Sequence, residues 1–160
     1  YKPLRITDSG KMQAALVVRK HRLTEMFLVE KMNFGWENVH EIAEQVEHIQ
    51  SDLFFDKMDE LLNYPKFDPH GEPIPDKDGN IIAQHLKKLS TCKVGSSFVF
   101  TAVTITDDDF LSFLNAKNLE LGTAIEIIEI EKYDQSMKVQ FGGKMVTLSK
   151  IVTEKILVKE

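Results

Sequence analysis

Apolar residues recur every three to four positions through roughly the first sixty residues, then alternate every second position further on. Thr7-Asp-Ser-Gly10 supplies a helix start with Thr7 as N-cap, and Asn33-Phe-Gly35 a stop, which predicts one long helix to about Met32. A second helix is predicted over Trp36 to Ile49 and a third from Ser51 to just before Pro65. On the third, Phe54, Phe55, Met58, Leu61 and Leu62 follow the spacing of one buried face. Four of the five prolines fall between Pro65 and Pro75, so residues 65–88 read as a connector. Beyond it, Phe98, Phe100, Ala102 and Thr104 alternate as a strand does. A short helix from Thr106 to Ala116 opens on three aspartates, which suit the positive end of its dipole. Further strands are predicted near 123–131, 137–141, 144–148 and 155–158, with turns at Asp134-Gln-Ser136 and Gly142-Gly143. The fold class is α+β: helices over 1–64, the connector over 65–88, and a small β-barrel over 89–160.

The 42% hydrophobic and 28% charged composition is that of a globular chain, and the single cysteine, Cys92, precludes an internal disulfide. No apolar run approaches the roughly 20 residues needed to span a bilayer, so a cytoplasmic setting with no membrane contact is expected. The net charge of −5 is uneven. Residues 1–22 hold six basic residues against Asp8 alone, and a basic end on an acidic body is either a polyanion contact or a solvated helix face.

The first two helices carry the candidate chemistry. His21 and Glu25 are four residues apart and share a helix face. His40, Glu44, Glu47 and His48 fall on one side of the second helix. Two adjacent helices thus present six nitrogen and oxygen donors, although glutamate and histidine are also common on solvated helix faces. Without a thiolate, such a set suits manganese(II), iron(II) or zinc(II) in open or octahedral geometry, not a structural zinc site. His70, in the Asp-Pro-His-Gly turn, reads as structural.

Three stretches carry a family resemblance: Val17-Val-Arg-Lys-His-Arg-Leu-Thr-Glu25, Trp36-Glu-Asn-Val-His-Glu-Ile-Ala-Glu-Gln-Val-Glu-His48 and Asp68-Pro-His-Gly-Glu-Pro-Ile-Pro75. In this order the chain resembles the diphtheria-toxin-repressor family of metal-dependent regulators. The resemblance implies a three-helix metal-binding and dimerisation domain, then an SH3-like domain similar to the small domain of ferrous-iron transport proteins. It implies one metal site at His21, Glu25 and His40, and a regulatory site at Glu44, Glu47 and His48. Iron-type members carry cysteine where Glu44 stands. A harder oxygen donor there shifts the expected ion toward manganese(II), with iron(II) or zinc(II) as alternatives. The two ligands that iron-type members take from the barrel align with Thr101 and Thr104, which are poor donors, leaving Asp107, Asp108 or Asp109 as candidates. Tyr1 to Thr7 resembles the last strand of the family's DNA-binding wing, so most of the winged helix-turn-helix is expected to be absent from this chain.

The expected function is that of the sensing and dimerising part of a metal-dependent repressor, a homodimer that reaches operator DNA through the missing front domain. No catalysis is expected. Two alternatives are a di-iron carboxylate metalloenzyme and a barrel-mediated interaction module. Di-iron proteins show Glu-x-x-His on bundle helices, and Glu25, Glu44 and Glu47 are followed at that spacing by Leu28, Glu47 and Gln50.

Overall fold

The computed structural model describes residues 5–160, so of the wing remnant expected at residues 1–7 the first four lie outside the described residues, and residues 5–7 form no strand. The chain forms two compact units, one ending at Ala83 and one spanning Gln84–Glu160.

The first unit is built on α1 (Asp8–Met32). Thr7 Oγ1 accepts from Gly10 N–H at 3.1 Å, and Asn33 ends the helix in the left-handed conformation at φ 59°. A 3-10 turn over Trp36–Asn38 leads into α2 (His40–Val46). The second helix is therefore shorter than its sequence predicts. Val39, at its N-cap, has no side-chain oxygen to hold the first turn. Glu47 keeps a helical backbone at φ −58°, while His48 lies in the turn that follows.

Ser51 caps α3 (Asp52–Leu61) by accepting from Phe54 N–H at 3.3 Å. Phe55, Met58 and Leu62 pack with Leu23 of α1 and with Ile74. The one-face reading of this helix needs correction: Phe54 and Leu61, with neighbouring Leu53, are exposed. One stripe of α3 meets α1, and a second apolar stripe is left outside that core.

The proline-rich stretch does not hang free between the units. Residues 66–76 fold into a tight reversal: Asp68 N–H donates to the Glu72 carbonyl and Ile74 N–H to that of Lys66, both at 2.9 Å. Gly71, at φ 86°, makes the turn. Asp68 Oδ1 accepts from the His70 and Glu72 amides at 2.8 and 2.9 Å. Two arginines three residues apart on α1 strap this reversal down. Arg19 donates to the Pro75 carbonyl at 2.8 Å and to Asp59 at 2.5 Å. Arg22 donates to the Pro73 carbonyl at 2.6 Å and to Glu72 at 2.5 Å. Prolines that cannot join a ladder still offer carbonyls, and the guanidinium forks satisfy them.

The second unit is a six-stranded antiparallel sheet of the SH3-like kind. Its strands are β1 (Lys87–Lys88), β2 (Ser97–Val103), β3 (Ala124–Ile130), β4 (Met137–Phe141), β5 (Lys144–Leu148) and β6 (Ile156–Lys159), in the order β1-β6-β2-β3-β4-β5. Irregular register at Phe100/Ala102 and at Ile127/Glu129 bends it. The helix α4 (Asp108–Ala116) sits between β2 and β3 in sequence and α5 (Lys150–Thr153) before β6. Phe98, Phe100, Ile125, Ile127, Met137, Val139 and Phe141 alternate into a core completed by Phe110, Leu111 and Leu114 of α4. Among the described residues no helix is long and apolar enough to cross a membrane.

Candidate metal centre

The middle of α1 points His21 and Glu25 at the start of α2. His21 Nε2 lies 3.1 Å from Glu25 Oε1 and 3.1 Å from His40 Nδ1, and His40 Nδ1 lies 3.4 Å from Glu25 Oε1. An ion bonded at about 2.1 Å in octahedral geometry has neighbouring ligand atoms about 3 Å apart, so this triangle has the dimensions of one octahedral face. The helix spacing alone brings the first two together; the α1–α2 turn adds the third.

The other nitrogen of His21 is engaged as well. Its Nδ1 lies 2.7 Å from Glu47 Oε2. A carboxylate on Nδ1 holds the proton there and leaves the Nε2 lone pair toward Glu25 and His40. Glu47 therefore stands as the orienting partner of His21 in this arrangement. Glu44 reaches His40 Nε2 at 3.5 Å from a mostly exposed position. His48 is exposed and, with Glu47 and Lys20, lines an open cleft of about 520 Å³. Of the six donors predicted from sequence, the structure gathers His21, Glu25 and His40 into one cluster, with Glu47 behind His21. Glu44 lies at its margin, and His48 lines the cleft beside Glu47.

A second cluster shares Glu25. The ligand atoms of Glu25, Asp68 and His70 lie within 4.8 Å of one another, and all three residues are buried. His70 Nε2 lies 2.9 Å from the Trp36 carbonyl, which accepts but cannot donate, so the proton sits on Nε2. His70 Nδ1 then faces Glu25 Oε2 at 3.4 Å, fully buried and without a hydrogen-bond partner. Two acceptors facing each other inside a protein require a cation between them, a proton or a metal ion. The donors present thus fit a divalent ion. Asp68 and His70 were legible in sequence only as a turn, because their partner Glu25 lies on the first helix, far away in the chain.

Burial disfavours charge throughout, and partners decide the outcome. For His21 and His70, burial is outweighed by the Glu25 carboxylate beside each ring, with Glu47 adding at His21 and Asp68 at His70, and both imidazoles rise above their ordinary value. Glu25, also penalised by burial, is held down to about 2 by His21 and His70. Asp68 is pushed up to about 6 by burial and by the Glu25 charge. In the second unit, Asp107 caps α4 by accepting from Phe110 N–H at 3.0 Å, and Asp108 and Asp109 are exposed in its first turn.

These features define a helical metal-binding unit followed by a small β unit, and the comparisons agree. Residues 7–76 match the family model described as iron dependent repressor, metal binding and dimerisation domain, and residues 87–160 match the FeoA domain. The iron-dependent repressor IdeR of Mycobacterium tuberculosis is 40% identical over 72 residues, 45% of this chain and 31% of that protein. A probable metal transport system membrane protein of Chlamydia trachomatis is 40% identical over 70 residues, 44% of this chain and 16% of that protein. The chain thus spans less than a third of these curated relatives. The solved structure of a manganese-dependent transcriptional repressor in complex with manganese superposes with a TM-score of 0.90 at 30% identity, covering 95% of this chain and 72% of that one. The chain belongs to the diphtheria-toxin-repressor family of metal-dependent transcriptional repressors.

The charge states predict how the metal-free chain responds to pH. Raised imidazole values stabilise the fold fully below about 6.5, and that stabilisation is lost as pH rises through the folded values. Asp68, kept neutral up to about 6, begins to oppose folding as pH climbs above 3.8. Glu25 contributes equally at every pH well above 4.5. In chelator, the unfolding midpoint of the helical unit, read by Trp36 fluorescence, should be lower at pH 8 than at pH 5.5. A higher midpoint at pH 8 would contradict these assignments.

Proposed function

We propose that this chain is the metal-sensing and dimerising part of a repressor that acts in the cytoplasm and is switched by manganese(II). Supporting this reading above all is the Glu25 carboxylate, 2% exposed and held between His21 and His40 on one oxygen and His70 on the other. His21, Glu25 and His40 would hold one ion. Glu25, Asp68 and His70 would hold a second. Iron(II) or zinc(II) could use the same donors, and imidazole suits them; the carboxylate oxygens, the lack of a thiolate in either cluster and Glu44 where iron-type members carry cysteine favour manganese(II). A bound ion supplies the positive charge that the facing acceptors lack.

The protein's own residues transmit that event. Glu47, predicted as a regulatory ligand together with Glu44 and His48, is hydrogen-bonded to His21. If Glu47 turned toward an ion in the adjoining cleft, His21 would lose its Nδ1 partner, so the two positions sense each other. By linkage, metal shifts the repressor only through its unequal affinity for two states. Recognition of operator DNA belongs to the whole protein and needs an element placed in a groove. The exposed stripe of Leu53, Phe54 and Leu61 on α3 would be covered by a second copy of the chain.

Calorimetric titration with manganese(II) tests the sensor. His21→Ala with His40→Ala should lose the tighter binding event, because two of its three donors are gone. Unchanged binding in the double variant would reject the assignment. Sedimentation at micromolar concentration should show a dimer; a species of 18.3 kDa alone would reject the covered stripe.

A further inference from the structure

We propose that Arg22 is a fixed cation that weakens the hold of the Glu25, Asp68 and His70 cluster on a divalent ion, making it the lower-affinity of the two positions that share Glu25. The inference rests on the reading that this cluster takes an ion. The Asp68 side chain is 1% exposed, and its Oδ1 is consumed by the amides of His70 and Glu72. Oδ2 is the oxygen left for an ion, and it faces Arg22 Nε at 3.5 Å. The rest of the guanidinium is fixed, Nη1 on the Pro73 carbonyl and Nη2 on Glu72. Arg22 thus cannot swing away without breaking two short hydrogen bonds. Its side chain is 16% exposed, where screening by solvent is weak.

A positive charge within about 6 Å of a doubly charged ion, at an effective dielectric of about 20, repels it by far more than a tenfold change in affinity. Glu72 cancels part of that charge. The pair Arg22 and Asp68 also supplies in advance some of the compensation that an ion would bring. Among the described residues no arginine stands against the ligand oxygen of the His21, Glu25 and His40 triangle: Glu25 Oε1 faces two imidazoles. The two positions therefore differ by a resident cation.

Arg22 is not needed to shape the reversal. Asp68 N–H to the Glu72 carbonyl, Ile74 N–H to the Lys66 carbonyl, the Phe67–Pro73 bridge and the Arg19 bond to the Pro75 carbonyl remain without it. Removing the charge should leave Asp68 and His70 in place and free an acceptor.

The test is manganese(II) titration of the whole chain by calorimetry, with His70→Ala marking which event belongs to this cluster. Arg22→Gln should tighten that event at least tenfold, or bring it into range if the parent shows only the tighter one. Arg22→Lys, which keeps the charge but not the fork, should stay within about threefold of the parent. If Arg22→Gln unfolds, Arg22→Met removes the same charge while keeping the packed stem. Equal or weaker binding after charge removal, with Arg22→Lys equally impaired, would mean that Arg22 only ties the loop, and would overturn the proposal. If neither parent nor variant shows an event that His70→Ala removes, the second cluster binds no ion and this inference falls with it. The tighter event, judged by the His21 and His40 variant, would stand.

Discussion

A carboxylate withdrawn from water keeps its charge only if cations or donors surround it, and Glu25, 2% exposed, is such a group. Its oxygens face His21, His40 and His70, which arrive from three different parts of the chain. His21 and His70 can satisfy Glu25 as protonated partners, and on the proposed reading they would instead lend lone pairs to a metal ion that does the same work. On that reading, an ion bound here would take the place of protons held by the metal-free site. The raised His21 and His70 values and the lowered Glu25 value express one fact, that this pocket is short of positive charge.

Much of the first unit serves to bring those groups to Glu25. The long α1 carries His21, Glu25, Arg19 and Arg22 on adjoining turns, so the helix that supplies two donors also anchors the segment supplying two more. Arg19 is buried against Asp59 of α3 and reaches Pro75, which ties the third helix and the proline reversal to α1 together. Breaking such a buried pair by removing one partner typically costs about 3–5 kcal/mol. Trp36 stacks on His70 with ring centroids 5.8 Å apart, and its backbone carbonyl accepts a hydrogen bond from His70 Nε2–H. One aromatic residue thereby fixes both the plane and the tautomer of an imidazole that would otherwise be free to rotate.

The sequence declared α1, its N-cap, its stop and the i, i+4 pair of His21 and Glu25, because those are local properties of one helix. The β unit was legible for a similar reason: alternation in Phe98, Phe100 and Ala102 states directly which face is buried. What depended on tertiary contact was less legible. The proline stretch looked like a spacer because prolines forbid helix, yet its carbonyls are claimed by arginines 51 and 56 residues earlier. For the same reason His70 passed as a turn residue: its partner Glu25 is 45 positions away in the chain. The early end of α2 left His48 in a turn, and the pairing of Glu47 with His21 is a tertiary contact that no periodicity could indicate.

If Glu25 is the group on which both clusters depend, its charge should matter more than any single imidazole. Glu25→Gln keeps the size and hydrogen-bonding reach of the side chain but removes the charge. In a manganese(II) titration of the whole chain this variant should lose binding at both positions while its helical unit still unfolds cooperatively in chelator. Retention of either event at parental affinity would contradict the account.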